Sequence, residues 1–287
     1  MTRGVAIVTG AGRGVGRATA ERLARGGYAV VTGVRDLDRA HVEYGTQAGI
    51  HLVELDVTNQ AHIDHAAALA EDIAGGPIDL LVNNAGHAMM GAQENGDLAA
   101  ARAMFETNLG GAAALVQAVV PGMREAGRGT VVTVSSIGAR LTNPLIGFYH
   151  GSKYALSAFS EALAGEVGHF GVRVIMIEPG MINTDFPKAT VLSGDITDPT
   201  SPYAPLFADL RAGFGAWRER GDASTAASCA EVIWDAVNMD DPPMRIVVGE
   251  DARQLERALR ESADDEQFQA QLRAFLGLDW PPAPPRA

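Results

Sequence analysis

One cysteine in 287 residues, Cys229, has no partner for an internal disulfide, and its apolar neighbours mark a buried thiol rather than a nucleophile. Basic residues are also scarce. The 23 Lys and Arg face 35 Asp and Glu, for a net charge of −12, and no Lys/Arg run or stripe interrupts that balance. A surface of that sign repels phosphate backbones, so neither nucleic acid nor an anionic membrane is an expected partner. No stretch reaches about 18 uninterrupted apolar residues. Met1-Thr2-Arg3-Gly4 runs straight into the apolar residues 5–8, without room for a charged leader and its hydrophobic region. The expectation is a cytoplasmic protein acting on a small molecule. Core-forming material is present in ordinary measure: 47% hydrophobic and 20% charged residues suit one globular domain over residues 1–287.

Short β-rich runs at 5–8, 29–32, 51–55, 80–82, 130–134, 172–177 and 245–248 alternate with longer stretches of helical spacing at 14–25, 61–74, 99–124, 149–168 and 226–237. Several of the runs are apolar at every position, as strands are when helices cover both faces of a parallel sheet. The pattern predicts an α/β fold, a doubly wound, Rossmann-like, mostly parallel sheet of about seven strands with helices on both faces. The alternation stops between 184 and 223, where Pro187, Pro199, Pro202 and Pro205 precede a helix candidate at 206–220. In it Leu206, Leu210, Phe214 and Trp217 form an apolar stripe that needs a cover. A long insertion of this kind reads as a mobile lid over an apolar substrate pocket. A tail from 251 to 287 carries helix candidates at 252–261 and 266–276, then a frayed Pro-Pro-Ala-Pro-Pro.

The first strand ends in Thr9-Gly10-Ala11-Gly12-Arg13-Gly14-Val15-Gly16 and runs into a helix. Glycines there permit a tight turn and close approach of backbone to a pyrophosphate, while the helix N-terminus offers unpaired N–H groups to the anion. Tyr149 and Lys153 lie one helical turn apart, so the lysine cation is expected to lower the phenol pKa and let Tyr149 exchange a proton with substrate oxygen. Ser136 closes the preceding strand, where open α/β sheets deliver residues to the ligand crevice, and its hydroxyl can steady an oxyanion.

Together these segments resemble the short-chain dehydrogenases/reductases. Residues 9–16 match the family's T-G-x-x-x-G-x-G turn, Asn83-Asn84-Ala85-Gly86 its N-N-A-G element, Tyr149-His150-Gly151-Ser152-Lys153 its Y-x-x-x-K, and Pro179-Gly180 followed by Thr184 its P-G-x-x-x-T. The resemblance implies a catalytic set of Asn108, Ser136, Tyr149 and Lys153. In it Asn108 holds a water of the proton relay, Ser136 rather than Ser135 bonds the substrate carbonyl, and Lys153 also holds the nicotinamide ribose. It further implies cofactor contacts from Gly10, Gly12, Arg13, Gly14, Val15 and Gly16, from Arg35, Asp56 and Val57, from Asn83, Ala85 and Gly86, and from Pro179, Gly180, Ile182 and Thr184.

By alignment to the family Val34 stands where NAD-dependent members carry an acid, and Arg35 and Arg13 are placed to clamp a 2′-phosphate. The expected cofactor is therefore NADP(H) over NAD(H), with Asp36 as the counter-indication. The reaction implied is ketone/alcohol interconversion on a bulky hydrophobic substrate, in a homodimer or homotetramer built on helices 99–124 and 149–168. A catalytically silent cofactor-binding regulator and an epimerase or dehydratase are the alternatives. No metal is expected: His62 and His65 share a helix face but lack a third ligand nearby.

Overall fold

The computed structural model describes residues 3–184, 186–219, 221 and 223–278. In chain order the first half runs β1 (Gly4–Val8), α1 (Gly14–Arg25), β2 (Tyr28–Val34), α2 (Leu37–Tyr44), β3 (Ile50–Glu54), α3 (Gln60–Ala74), β4 (Leu80–Asn83), β5 (Met89–Met90), α4 (Leu98–Phe105) and α5 (Gly111–Ala126). The second half runs β6 (Gly129–Val134), α6 (Gly147–Val167), β7 (Val172–Pro179), β8 (Ile182–Asn183), β9 (Val191–Leu192), α7 (Ala204–Glu219), β10 (Ser224–Thr225), α8 (Ala226–Asn238), β11 (Arg245–Val248), α9 (Glu250–Glu261) and α10 (Asp265–Leu276). Seven strands form one parallel sheet in the order β11-β7-β6-β4-β1-β2-β3. The order reverses between β1 and β4, so a crevice opens beyond the carboxyl ends of those strands.

Strand alternation builds a core on each face. Val5 and Ile7 of β1, Leu81 of β4 and Val131 of β6 meet Ile63 of α3, Leu115 and Val119 of α5 and Leu163 of α6. Ala6 and Val8, Leu80 and Val82, and Val132 point the other way, onto Ala20 and Leu23 of α1 and Cys229 and Ile233 of α8. The stretch 98–126 is long and apolar enough to span a bilayer, but Leu115, Val116, Val119, Val120 and Met123 of its second half are buried in the first of these cores.

A third core lies apart from the two that flank the sheet. Leu206, Phe207, Leu210 and Trp217 of α7 pack with Ala252 and Leu255 of α9, with Phe268, Leu272 and Leu276 of α10, and with Ile137, Leu141 and Ile146 from the loop between β6 and α6. Contact between α7 and α10 is close: a Cβ on Gly213 would stand 2.0 Å from the Leu276 carbonyl oxygen. The stripe expected to face substrate thus finds much of its cover in α10 of the same chain, with Trp217 edge-on to Phe275 at 5.1 Å between ring centroids. The proline-rich end and Arg220 lie outside the described residues.

Two local features depart from the sequence expectation. Residues 37–44 form a helix that was not expected, started by Asp36, whose carboxylate accepts from Arg39 N at 3.0 Å. The helix expected over 99–124 is interrupted by a π turn at Glu106–Gly110, an i→i+5 insertion of the kind that re-aims side chains at functional sites.

Candidate active site

The glycine turn is held from three sides. Thr9 Oγ1 accepts from the backbone N–H of Asn84 and of Ala85, both at 2.9 Å, and Asn84 Nδ2 donates to the carbonyls of Thr9 and Gly10. Tyr44 of the unexpected helix donates its hydroxyl to the Ala11 carbonyl at 2.7 Å. Gly10 and Gly14 take φ of +62° and +57°, which favour glycine. A Cβ on Gly16 would lie 2.5 Å from the Gly10 oxygen. At Gly12 the nearest atom to a Cβ is Val34 Cγ1 at 4.0 Å, so the middle of the turn is open. Arg13 occupies the N-cap of α1 without capping it, and no acidic residue stands in the first turn. An open cradle at an uncapped, positively polarised helix end fits the pyrophosphate of a dinucleotide.

Beside that cradle Val34 ends β2 buried, while Arg35 and Arg13 are exposed, and neither guanidinium is in an ion pair among the described residues. Asp56 accepts from the N–H and the hydroxyl of Thr58, and chiefly the N–H bond holds its carboxyl below the usual carboxylate range. Val57 and Asn83 join Thr9, Ala85 and Asn108 in lining one crevice. Asn83 donates to the Ala112 carbonyl at 3.4 Å, and its buried Oδ1 has no partner among the described residues, an acceptor left for a ligand or water. Opposite, Thr184 Cγ2 stands 3.7 Å from where a Gly14 Cβ would be, so the glycine turn and the segment after β7 meet across the chain.

Ser136, Tyr149, Lys153 and Asn108 gather at the ends of β4 and β6. Ser136 Oγ accepts from Gly138 N at 2.9 Å, and its side chain is the one polar group that favours ionisation of the neighbouring Tyr149 phenol. Ser135, by contrast, turns away to Ser157 Oγ at 3.0 Å. The Ser136 loop is braced by His150. Its Nδ1 lies 2.8 Å from the Gly138 carbonyl, which can only accept, so Nδ1 carries the proton; burial holds this imidazole below its usual pKa. The π turn aims the Asn108 amide at His87: Oδ1 accepts from His87 N, and Nδ2 donates to His87 O and to Ser152 Oγ. Asn108 Oδ1 and Lys153 Nζ both border Gly86, at 3.0 and 3.7 Å from where a Cβ would be.

The electrostatics correct one expectation. Lys153 does not lower the Tyr149 phenol; burial holds it above its usual value near 10, partly offset by the Ser136 side chain. The reason is that the Lys153 ammonium donates to the Val134 carbonyl at 3.0 Å and, being buried itself, is pulled down to about 8. Tyr149 is accordingly a protonated phenol at neutral pH.

Sequence reasoning assigned no role to Tyr44, Phe186 or Asp251. Phe186 lies 6.1 Å from the Tyr149 ring, centroid to centroid, and Asp251, from the tail, accepts from Met181 N at 2.7 Å. Tyr44 and Asp251 belong to no motif, and both reach the site across large sequence separations. Phe186 was legible only as a residue inside the long insertion.

Residues 4–193 match the family described as short chain dehydrogenase. The chain is similar to an oxidoreductase, BOA17, of Botryotinia fuckeliana (31% identity, covering 91% of this chain and 95% of that one). It is also similar to a 3-ketodihydrosphingosine reductase of Bacteroides thetaiotaomicron (31% identity, 96% and 98% covered). Among solved structures it resembles a short-chain dehydrogenase from Streptomyces avermitilis (33% identity, TM-score 0.74, 94% and 92% covered). A short-chain dehydrogenase from Burkholderia cenocepacia, solved in complex with NADP, follows at 26% identity (TM-score 0.72, 98% and 99% covered). With this fold, this glycine cradle and these relatives, the chain belongs to the short-chain dehydrogenase/reductase family, oxidoreductases that act on CH–OH groups with NAD(P).

Proposed function

We propose that this enzyme is an NADPH-preferring reductase of bulky, hydrophobic ketones. The observation that carries the reading is the placement of Tyr149, one helical turn from Lys153 and beside Ser136 at the end of β6, with burial holding its phenol above the usual pKa. A phenol kept in its acid form suits proton donation to a carbonyl being reduced. Nicotinamide, when bound, supplies the hydride. Ser136 donates to the substrate oxygen and Tyr149 delivers the proton to it, while Lys153, its ammonium on the Val134 carbonyl, would hold the nicotinamide ribose.

Hydrophobic substrates are favoured by the wall that follows the cofactor segment. β9 pairs with β5, and Phe186, Val191 and Leu192 are exposed apolar side chains, the first of them against Tyr149. The Bacteroides relative is named a 3-ketodihydrosphingosine reductase, which agrees with reduction of a ketone. We read residues 184–223 as the cover of this pocket: 186–192 form its substrate-facing rim and α7 its anchored base. The cofactor preference rests on Arg13 and Arg35, exposed and without ion-pair partners among the described residues, on Asp36 being engaged as the cap of α2, and on the NADP complex of the Burkholderia relative. Cytoplasmic location accords with the lone, buried Cys229. A homodimer or homotetramer accords with the exposed Tyr154 on α6 and Phe170 just beyond it.

The test is kcat/KM with NADPH and NADH across 2-ketones of increasing chain length. The reading expects efficiency to rise with chain length and to favour NADPH. A clear NADH advantage places Asp36 on the ribose instead, and a preference for small polar ketones removes the hydrophobic pocket.

A further inference from the structure

Asp251 is 1% exposed, and the chain makes room for its carboxylate on two sides. A Cβ on Gly180 would stand 2.4 Å from Oδ2, and one on Gly249, which adopts φ +105°, would stand 2.3 Å from Oδ1. The topology brings the two segments together. β11 runs parallel to β7 with Val248 opposite Pro179, and Gly180 N donates to the Val248 carbonyl at 2.9 Å. The chain leaving β11 therefore enters α9 beside the chain leaving β7. Oδ2 accepts from Met181 N at 2.7 Å, the short length of a charge-assisted bond. On its other side the Met181 carbonyl accepts from Ser224 N at 3.0 Å. One residue is thus pinned at both its N–H and its C=O, one position before Ile182 and three before Thr184, which borders the glycine cradle. The first turn of α9 contains Asp251, where the helix dipole offsets the burial of a negative charge. An apolar side chain at this site would leave the Met181 N–H without its acceptor, so the acceptor oxygen is explained by what it holds.

We propose that Asp251 is a positioning residue for the nicotinamide end of the cofactor: by holding Met181 N it fixes the path of residues 179–184. The proposal rests on the reading that this segment lies against the nicotinamide. It goes beyond that reading by making the C-terminal tail part of the cofactor site.

The experiment compares Asp251→Ala, Asp251→Asn and Gly180→Ala in the full chain. Each is titrated with NADPH and with 2′,5′-ADP, which carries the adenosine half and no nicotinamide; if the wild type uses NADH, the pair is NADH and 5′-ADP. Asp251→Ala is expected to weaken NADPH binding about tenfold while leaving 2′,5′-ADP unchanged. Gly180→Ala, which crowds the carboxylate from the other side, should behave alike. Asp251→Asn keeps an acceptor oxygen in place and should stay within about threefold of wild type. Retained 2′,5′-ADP binding also shows that the variants are folded. Equal weakening of both ligands, weakening of neither, or an Asn variant as impaired as the Ala variant overturns the proposal alone. A wild type that binds NADPH no more tightly than 2′,5′-ADP removes the underlying reading, and the proposal with it.

Discussion

The sheet with its cofactor cradle and the third core formed by α7, α9 and α10 are built by the same rule to different effect. In the sheet, each strand is apolar on alternate positions toward each of two helix layers, so its partners are implied by parallel pairing and short crossovers. In the third core, α7 has an equally clear apolar stripe, yet its partner lies some 50 residues further along the chain in α10. Periodicity tells which face of a helix is buried and is silent on what buries it. The proposed functional division follows the same line: the cradle and the Ser136, Tyr149, Lys153 group sit on strand ends and one helix, whereas the wall we propose to face substrate belongs to the irregular segment before α7.

The comparison would break most visibly at Tyr149. Tyr149→Phe should lower kcat by about 10²- to 10⁴-fold and leave NADPH affinity, measured by fluorescence titration, unchanged; substantial residual turnover would detach the chemistry from α6. The next largest effect is expected in the third core. Trp217 is buried against Phe275, so Trp217→Ala should cost about 3–5 kcal/mol in urea denaturation with a comparatively small change in kcat. Lost activity at unaltered stability would make α7 part of the reaction rather than its anchored support.

A pH measurement sharpens the cradle side. With Lys153 at about 8 in the folded protein against 10.5 in the unfolded chain, both states are protonated below pH 8 and the burial penalty is fully present. Between pH 8 and 10.5 the unfolded chain binds more protons, so stability should rise with pH across that window. Above pH 10 the raised Tyr149 acts the other way, because the unfolded phenol ionises first. Lys153→Met should flatten the rise between pH 8 and 10 in denaturation series of the cofactor-free protein; an unchanged slope assigns the rise to other groups. The smallest effect belongs to the pocket rim. Phe186→Ala should raise KM for a long-chain ketone by about threefold to tenfold, as loss of a part-buried aromatic contact does, with Tm unmoved. Equal KM values for both proteins would place substrate elsewhere.

Much of the site could be read from the chain. The glycine turn, Ser136 at the end of a strand and the Tyr149–Lys153 pair are local: each depends on a few consecutive residues, or on one helical turn. Asn108 was expected from resemblance, but the π turn that aims it at His87 has no simple periodic signature, because one inserted residue barely disturbs an apolar pattern. The direction of the Tyr149 pKa was misjudged for a related reason. Spacing placed the lysine on the right face, but whether its ammonium points to the phenol or to the Val134 carbonyl depends on a strand 19 residues away.

Composition and period thus sufficed for the fold class and the seven strands, since hydrophobic alternation and backbone stereochemistry act over a few residues, while the candidate site residues came from short motifs and the family resemblance they carry. The cover over α7, the Tyr44 and Asp251 braces and the charge state at the phenol arose from contacts between segments tens to hundreds of residues apart. Those contacts depend on burial and on which hydrogen-bond partner each polar group finds once the chain is compact, and neither quantity is defined before the chain folds.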